Sequence, residues 1–214
     1  MRVGILGSGV VGQALGTGFA AHGHDVQIGS QSPGKPELVK WKESTRGTVS
    51  TGTFAEAAEH GELIVLAYLG SASEEVIRLA GSAHFDGKVV IDATNALDFS
   101  KGMPPGLFTA KDDSLGERHQ RLLPRARVVK CFNIVPAPLM VRPNIGGSQP
   151  TMMIAGNDDA AKRDVDRILR EFGWNGSMDL GGIENSRWLE ALVPLWVRVA
   201  GKVGNFRVAF RVLT

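Results

Sequence analysis

Short apolar runs alternate along the chain with stretches whose apolar residues recur three or four positions apart. The runs predict strands at about 2–7, 25–29, 48–51, 63–68, 88–93 and 127–132. Leu63–Leu66 and Val89–Ile91 are apolar without alternation, the pattern of strands covered on both faces of a sheet. Val11, Leu15 and Phe19 put one stripe on a first helix, and Gly23 suits the position just past its end. Thr53-Phe54-Ala55-Glu56 and Ser114-Leu115-Gly116-Glu117 each fit a capping box, so helices are expected to start at both. The aperiodic segment from Asp98 to Asp113, with Pro104-Pro105, reads as a loop beside a ligand crevice. After about residue 150 come a strand from Thr151 to Ala155, a helix with Val165, Ile168, Leu169 and Phe172 on one face, and a weaker strand near Ser177 to Leu180. A last helix, roughly 185–200, aligns Leu189, Leu192, Val193, Trp196 and Val199, with Pro194 expected to kink it.

Strands joined by helical crossovers make this an α/β chain with a doubly wound, mainly parallel sheet of Rossmann type. The change of pattern divides it into a dinucleotide-binding region, 1–150, and a small C-terminal α/β extension, 151–214, that completes a cleft or a dimer face. The first region carries the strongest motif. Gly7-Ser8-Gly9-Val10-Val11-Gly12 is a full GxGxxG that follows an apolar strand, opens a helix and precedes a second strand at Val26–Ile28. Gly7 permits the tight turn, Gly9 lets backbone approach a pyrophosphate, and Gly12 lets helix and strand pack closely. The phosphates then rest on unpaired amides at the positive end of the helix.

Which dinucleotide binds is decided where the second strand ends. An acidic residue there would favour NAD, but the sequence reads Gly29-Ser30-Gln31-Ser32 and has no carboxylate before Glu37. Ser30, Gln31 and Ser32 can donate hydrogen bonds to a 2′-phosphate and Lys35 can add charge, so NADP(H) is favoured over NAD(H). In a doubly wound sheet the nicotinamide lies beyond the strand ends, which points to Ala67, Tyr68 and Leu69, to Asp92-Ala93-Thr94-Asn95, and to Asn133, Val135 and Pro136. Asn95 offers donor and acceptor to the carboxamide, or serves as a strand-end turn residue. Asp92 fits a carboxylate bonding nearby backbone amides better than it fits a catalyst.

Composition narrows the field. Net charge is +2 without a run of like charges, so no nucleic-acid partner is expected. No window reaches the length of a membrane span, and the single cysteine, Cys131, fits a reducing, cytoplasmic setting. The five histidines fall mostly at helix ends or loops without metal spacing, so they are expected to be solvated and no metal site is expected. No nucleophile elbow or acid–base pair stands out, so no catalytic residue is assigned.

Gly7–Gly12, Ile28-Gly29-Ser30-Gln31, Val90–Asn95, Lys130-Cys131-Phe132-Asn133 with Pro136-Ala137, and Glu184-Asn185-Ser186-Arg187 together resemble the coenzyme F420-dependent NADP oxidoreductase family. The resemblance covers nearly the whole chain. It departs at Gln31, where the family typically carries arginine, and in the segment 98–113, which looks like a divergent bacterial branch. It implies NADPH along the first region and hydride exchange with a planar acceptor, a deazaflavin (F420) or a flavin, stacked on the nicotinamide. Two other readings stay open: an NADPH-dependent carbonyl or imine reductase, which would need a proton donor such as Tyr68, and a non-catalytic NADP(H) sensor. Trp188 and Trp196 on the last helix fit either the core or a homodimer face.

Overall fold

The computed structural model describes residues 1–213. In chain order its elements are β1 (Arg2–Leu6), α1 (Val10–Ala21), β2 (Asp25–Gly29), α2 (Pro36–Ser44), β3 (Val49–Gly52), α3 (Phe54–His60), β4 (Leu63–Leu66), α4 (Ser73–Ala80) and β5 (Val89–Asp92). They continue with β6 (Leu97–Asp98), β7 (Gly106–Leu107), α5 (Leu115–Leu122), β8 (Arg127–Lys130), β9 (Met152–Gly156), α6 (Asp159–Glu171), β10 (Ser177–Asp179) and α7 (Ser186–Val203).

Eight strands form one sheet in the order β10-β9-β8-β5-β4-β1-β2-β3. From β3 to β8 every pairing is parallel, whereas β9 meets β8 antiparallel and β10 runs parallel to β9. The strand order turns back between β1 and β4, and a ligand crevice is expected there. The uninterrupted apolar strands serve two cores. Val65 and Ile91 face one with Leu15, Phe19, Trp41, Val165 and Leu169; Ile64, Leu66 and Val90 face the other with Phe54, Val76, Ile77 and Phe85. Burying a side chain such as Phe19 contributes about 1.5–3 kcal/mol, and Phe19 has no solvent exposure.

Local signals explain most boundaries. Gly23, with φ +79°, follows the last turn of α1. Thr53 makes the full capping box at α3, its hydroxyl accepting from Glu56 N and its own amide donating to the Glu56 carboxylate. At α5 the box is only half made: Ser114 caps Glu117 N, but the Ser114 amide donates to Asp113 Oδ1, and the Glu117 carboxylate accepts from Ser114 Oγ and from Arg187 of α7. Two helices carried weaker signals: α2 begins with Pro36 at its first position, and α4 has Glu74 and Glu75 in its first turn and Arg78 in its last. The segment 98–113 is not wholly loop, since β6 and β7 pair as a small antiparallel hairpin. Among the described residues, no helix is long and apolar enough to cross a membrane.

Candidate functional site

The turn between β1 and α1 has the geometry its glycines require. Gly7 has φ +123°, a region that side-chain-bearing residues rarely adopt, and a Cβ there would run into the Ala67 carbonyl. A Cβ on Gly12 would collide with the Gly7 carbonyl, so helix and strand are in backbone contact. Gly9 differs: a Cβ there would meet nothing within 4 Å. It is the N-cap of α1 and supplies no side chain to cap it. The first helical bond runs from Gln13 N to Gly9 O at 3.0 Å, so the amides of Val10, Val11 and Gly12 precede the ladder. Open space therefore faces unpaired donors at the positive end of a helix, an anion cradle.

A cleft of about 550 Å³ runs from this cradle to Ser30, Gln31, Ser32 and Lys35 on one side and to Ala67, Tyr68 and Leu69 on the other. It brings together Gly7 to Val11 with those residues as the sequence predicted. Ser30 is buried and holds the ends of β1 and β2 together, its hydroxyl accepting from Ser8 Oγ at 3.2 Å and from Ser32 N at 3.2 Å. Gln31 is exposed at the rim. A second hollow of about 240 Å³ continues past Tyr68 and Leu69 to Ala93, Thr94, Asn95, Leu97 and Phe99.

Asn95 and Asn133 form a pair at these strand ends. Asn95 Nδ2 donates to Asn133 O at 3.0 Å, and Asn133 Nδ2 donates to Asn95 Oδ1 at 3.1 Å and to Leu189 O at 2.9 Å. Asn95 lines the hollow while Asn133 and Val135 are buried behind it and Pro136 is half-buried. Asn133 Oδ1 is a buried acceptor with no partner among the described residues.

Behind the hollow lies a buried charged cluster that sequence reading missed. Asp92, His119 and Lys130 are wholly inaccessible and Glu190 is 1% exposed. Asp92 Oδ1 accepts from Thr94 N at 2.9 Å, as a strand-end carboxylate was expected to do. Its Oδ2 accepts from His119 Nδ1 at 2.9 Å and from Lys130 Nζ at 3.0 Å. Lys130 also reaches Glu190 Oε1 at 2.7 Å and Thr94 O at 2.8 Å. Glu190 in turn accepts from the Leu115 and Gly116 amides at 3.0 and 3.1 Å, capping α5 from another helix. Burial alone would raise the Asp92 carboxyl, but Lys130 and His119 hold it well below the usual range. Burial likewise opposes the charge on Lys130, and Asp92 and Glu190 outweigh it, raising that ammonium.

His119 corrects the expectation that the histidines are solvated. Its place within α5 looked like a helix-end position, yet it turns inward beneath the cleft wall. Its Nε2 lies 3.0 Å from Tyr68 Oη and 3.0 Å from Ser73 Oγ. The other four histidines are exposed or partly exposed, and the described residues hold no grouping of His, Cys, Asp and Glu suited to a metal. Cys131 is buried and its thiol is pushed far up by burial, which leaves it inert.

The strand order, the glycine turn and the uncapped helix opening on a cleft define a dinucleotide-binding protein of Rossmann type. Residues 2–96 match the family described as NADP oxidoreductase, coenzyme F420-dependent. A crystal structure of a candidate F420-dependent NADP reductase from Arthrobacter sp. FB24 is 37% identical, covers 100% of both chains and superposes with a TM-score of 0.96. The F420-dependent NADP reductase of Methanothermobacter marburgensis is 29% identical over 93% of this chain and 92% of its own. Metalloreductase STEAP3 of Rattus norvegicus is 28% identical over 91% of this chain, which spans only 38% of that longer protein. The chain belongs to the coenzyme F420-dependent NADP oxidoreductase family.

Proposed function

We propose that the protein is an NADP(H)-dependent oxidoreductase that exchanges hydride between the nicotinamide and a deazaflavin of the F420 type. The observation that carries this is the uncapped start of α1, where Gly9 faces open space at the head of the 550 Å³ cleft. NADPH, when bound, would supply the hydride from its nicotinamide ring. The amides of Val10, Val11 and Gly12, with Ser8 beside them, would hold the pyrophosphate. Ser30, Gln31, Ser32 and Lys35 would receive the 2′-phosphate. Ala67, Tyr68 and Leu69 would wall the nicotinamide, with Asn95 offering its second amide proton to the carboxamide. Asn133, Val135 and Pro136 would shape the acceptor side from behind. The names of the relatives support F420 as the acceptor and none of them names a flavin.

The test is NADPH oxidation followed optically under anaerobic conditions with F420, FMN, FAD, ferric chelates and small carbonyls in parallel. Rapid turnover with F420 alone supports the assignment. Binding of NADPH with no F420 reduction overturns the acceptor, and failure to bind NADPH overturns the cofactor. A second reading, reduction of a carbonyl or imine, draws support from the Tyr68 hydroxyl held against His119, and turnover with the small carbonyls would place it first.

A further inference from the structure

A deazaflavin that receives a hydride on carbon also takes a proton on a ring nitrogen, and the hydrogen bonds around His119 point to where one can be stored. Asp92 is held as a carboxylate, so the 2.9 Å contact to His119 Nδ1 requires a proton on that nitrogen. Ser73 Oγ lies 2.7 Å from Gly70 O and 3.0 Å from His119 Nε2, and with its proton on the nearer carbonyl its oxygen accepts from Nε2. In that arrangement both ring nitrogens carry protons. The charge count agrees, because Asp92 and Glu190 are two buried carboxylates facing the single ammonium of Lys130. An imidazolium at His119 makes the cluster neutral. Tyr68 Oη, 3.0 Å from the same Nε2, is thereby an acceptor toward His119 and keeps its own proton free for another partner.

The same nitrogen joins two cavities. Tyr68 belongs to the proposed nicotinamide cleft, whereas Ser73 lines a neighbouring open pocket of about 580 Å³ with Gly70, Phe108, Asp113, Arg118 and Arg121. We propose that Tyr68 is the proton donor of the reaction and that His119, positioned by Asp92, resupplies it from the Ser73 pocket. The inference rests on the placement of the nicotinamide end given above. As the acceptor takes the hydride on carbon, the Tyr68 O–H bond breaks and its proton passes to a ring nitrogen of the acceptor. The Tyr68 oxygen recovers the Nε2 proton of His119. Ser73 then turns its O–H from Gly70 O to Nε2 and gives up that proton while its oxygen takes one from solvent hydronium in the second pocket, and the Nδ1 proton stays shared with Asp92 throughout. The charged groups facing His119 from other elements are Asp92 directly and Lys130 and Glu190 beyond it; Arg118 and Arg121 on its own helix are paired with Asp113.

Two measurements test this. Nitrogen NMR of histidine-labelled protein without cofactor should show one histidine, the one perturbed by Tyr68→Phe, with both nitrogens protonated at neutral pH. An unprotonated Nε2 there overturns the relay whatever the acceptor proves to be. With NADPH and F420, Tyr68→Phe should bind NADPH as the parent does, lose about a hundredfold in kcat and lose the parent's solvent isotope effect. Parent-like kcat and isotope effect in Tyr68→Phe overturn the donor assignment. If NADPH binds but F420 is not reduced, the proposed acceptor fails while the NMR result still decides the relay.

Discussion

Replacing Lys130 by methionine keeps most of the side chain's volume and removes its ammonium, with the charge and the hydrogen bonds to Asp92, Glu190 and Thr94 O. The ammonium lies 3.0 Å from Asp92 and 2.7 Å from Glu190 in a site closed to solvent, so two buried carboxylates would be left with Thr94, His119 and the α5 amides as their remaining support. Breaking a buried pair in this way costs about 3–5 kcal/mol. For a chain of this size each kcal/mol lowers Tm by about 2–4 °C, which gives a fall of about 6–20 °C. Urea unfolding without cofactor should show a lower midpoint at an unchanged slope, cofactor being left out because binding would mask the loss. The pH dependence follows from the directions of the shifts. Asp92 is depressed below its ordinary 3.8, so its stabilisation is complete above that value and is lost as pH falls through the folded one. Lys130 is raised above 10.5, so its stabilisation is complete below that value and is lost as pH rises through the folded one. Between those limits the contributions of Asp92 and Lys130 are constant. In Lys130→Met the charge that lowers Asp92 most is gone, so acid unfolding should begin at a higher pH. Adding Glu190→Gln should return about 0.5–3 kcal/mol by relieving the surplus negative charge. A Lys130→Met protein within 1 kcal/mol of the parent, estimated against the same cost range, would refute the cluster's role.

Gly9→Val should fold with parent-like Tm, because its side chain enters open space, yet lose NADP(H) binding by calorimetry; retained affinity would refute the placement of the pyrophosphate. Gln31→Arg adds a guanidinium fork at the cleft rim and should tighten NADPH binding about ten- to a hundredfold while NADH barely changes. Equal effects on both cofactors would show that Gln31 does not face the 2′ position. Thr53→Ala removes the hydroxyl side of the capping box at α3, leaving the residue-53 amide to donate to Glu56, and should cost about 1 kcal/mol, read from the urea midpoint.

What was legible in the sequence is what local chemistry decides. A glycine turn after an apolar strand, a stripe every fourth residue and a Thr-to-Glu box each act within a few residues, and the structure has them where the sequence put them. Even the limits of that reading are local: Ser114 promised the same box as Thr53, but its amide donates to the neighbouring Asp113, and Glu117 is shared between the Ser114 hydroxyl and the distant Arg187. The polar interior was illegible for the opposite reason. His119 in a charged helix, Lys130 after two valines and Glu190 within an apolar helix each look like a solvated or incidental polar residue taken singly. Each is buried only because the others are there, and the contacts joining them reach across β5, β8, α5 and α7. No periodicity records such a mutual dependence. It matters for chemistry because it begins at Asp92, the end residue of β5, immediately before the strand-end residues that line the proposed nicotinamide hollow. A carboxylate at that place satisfies the local backbone with one oxygen and commits the other to His119 and Lys130, so the wall of the cleft and the charge behind it are fixed by the same side chain.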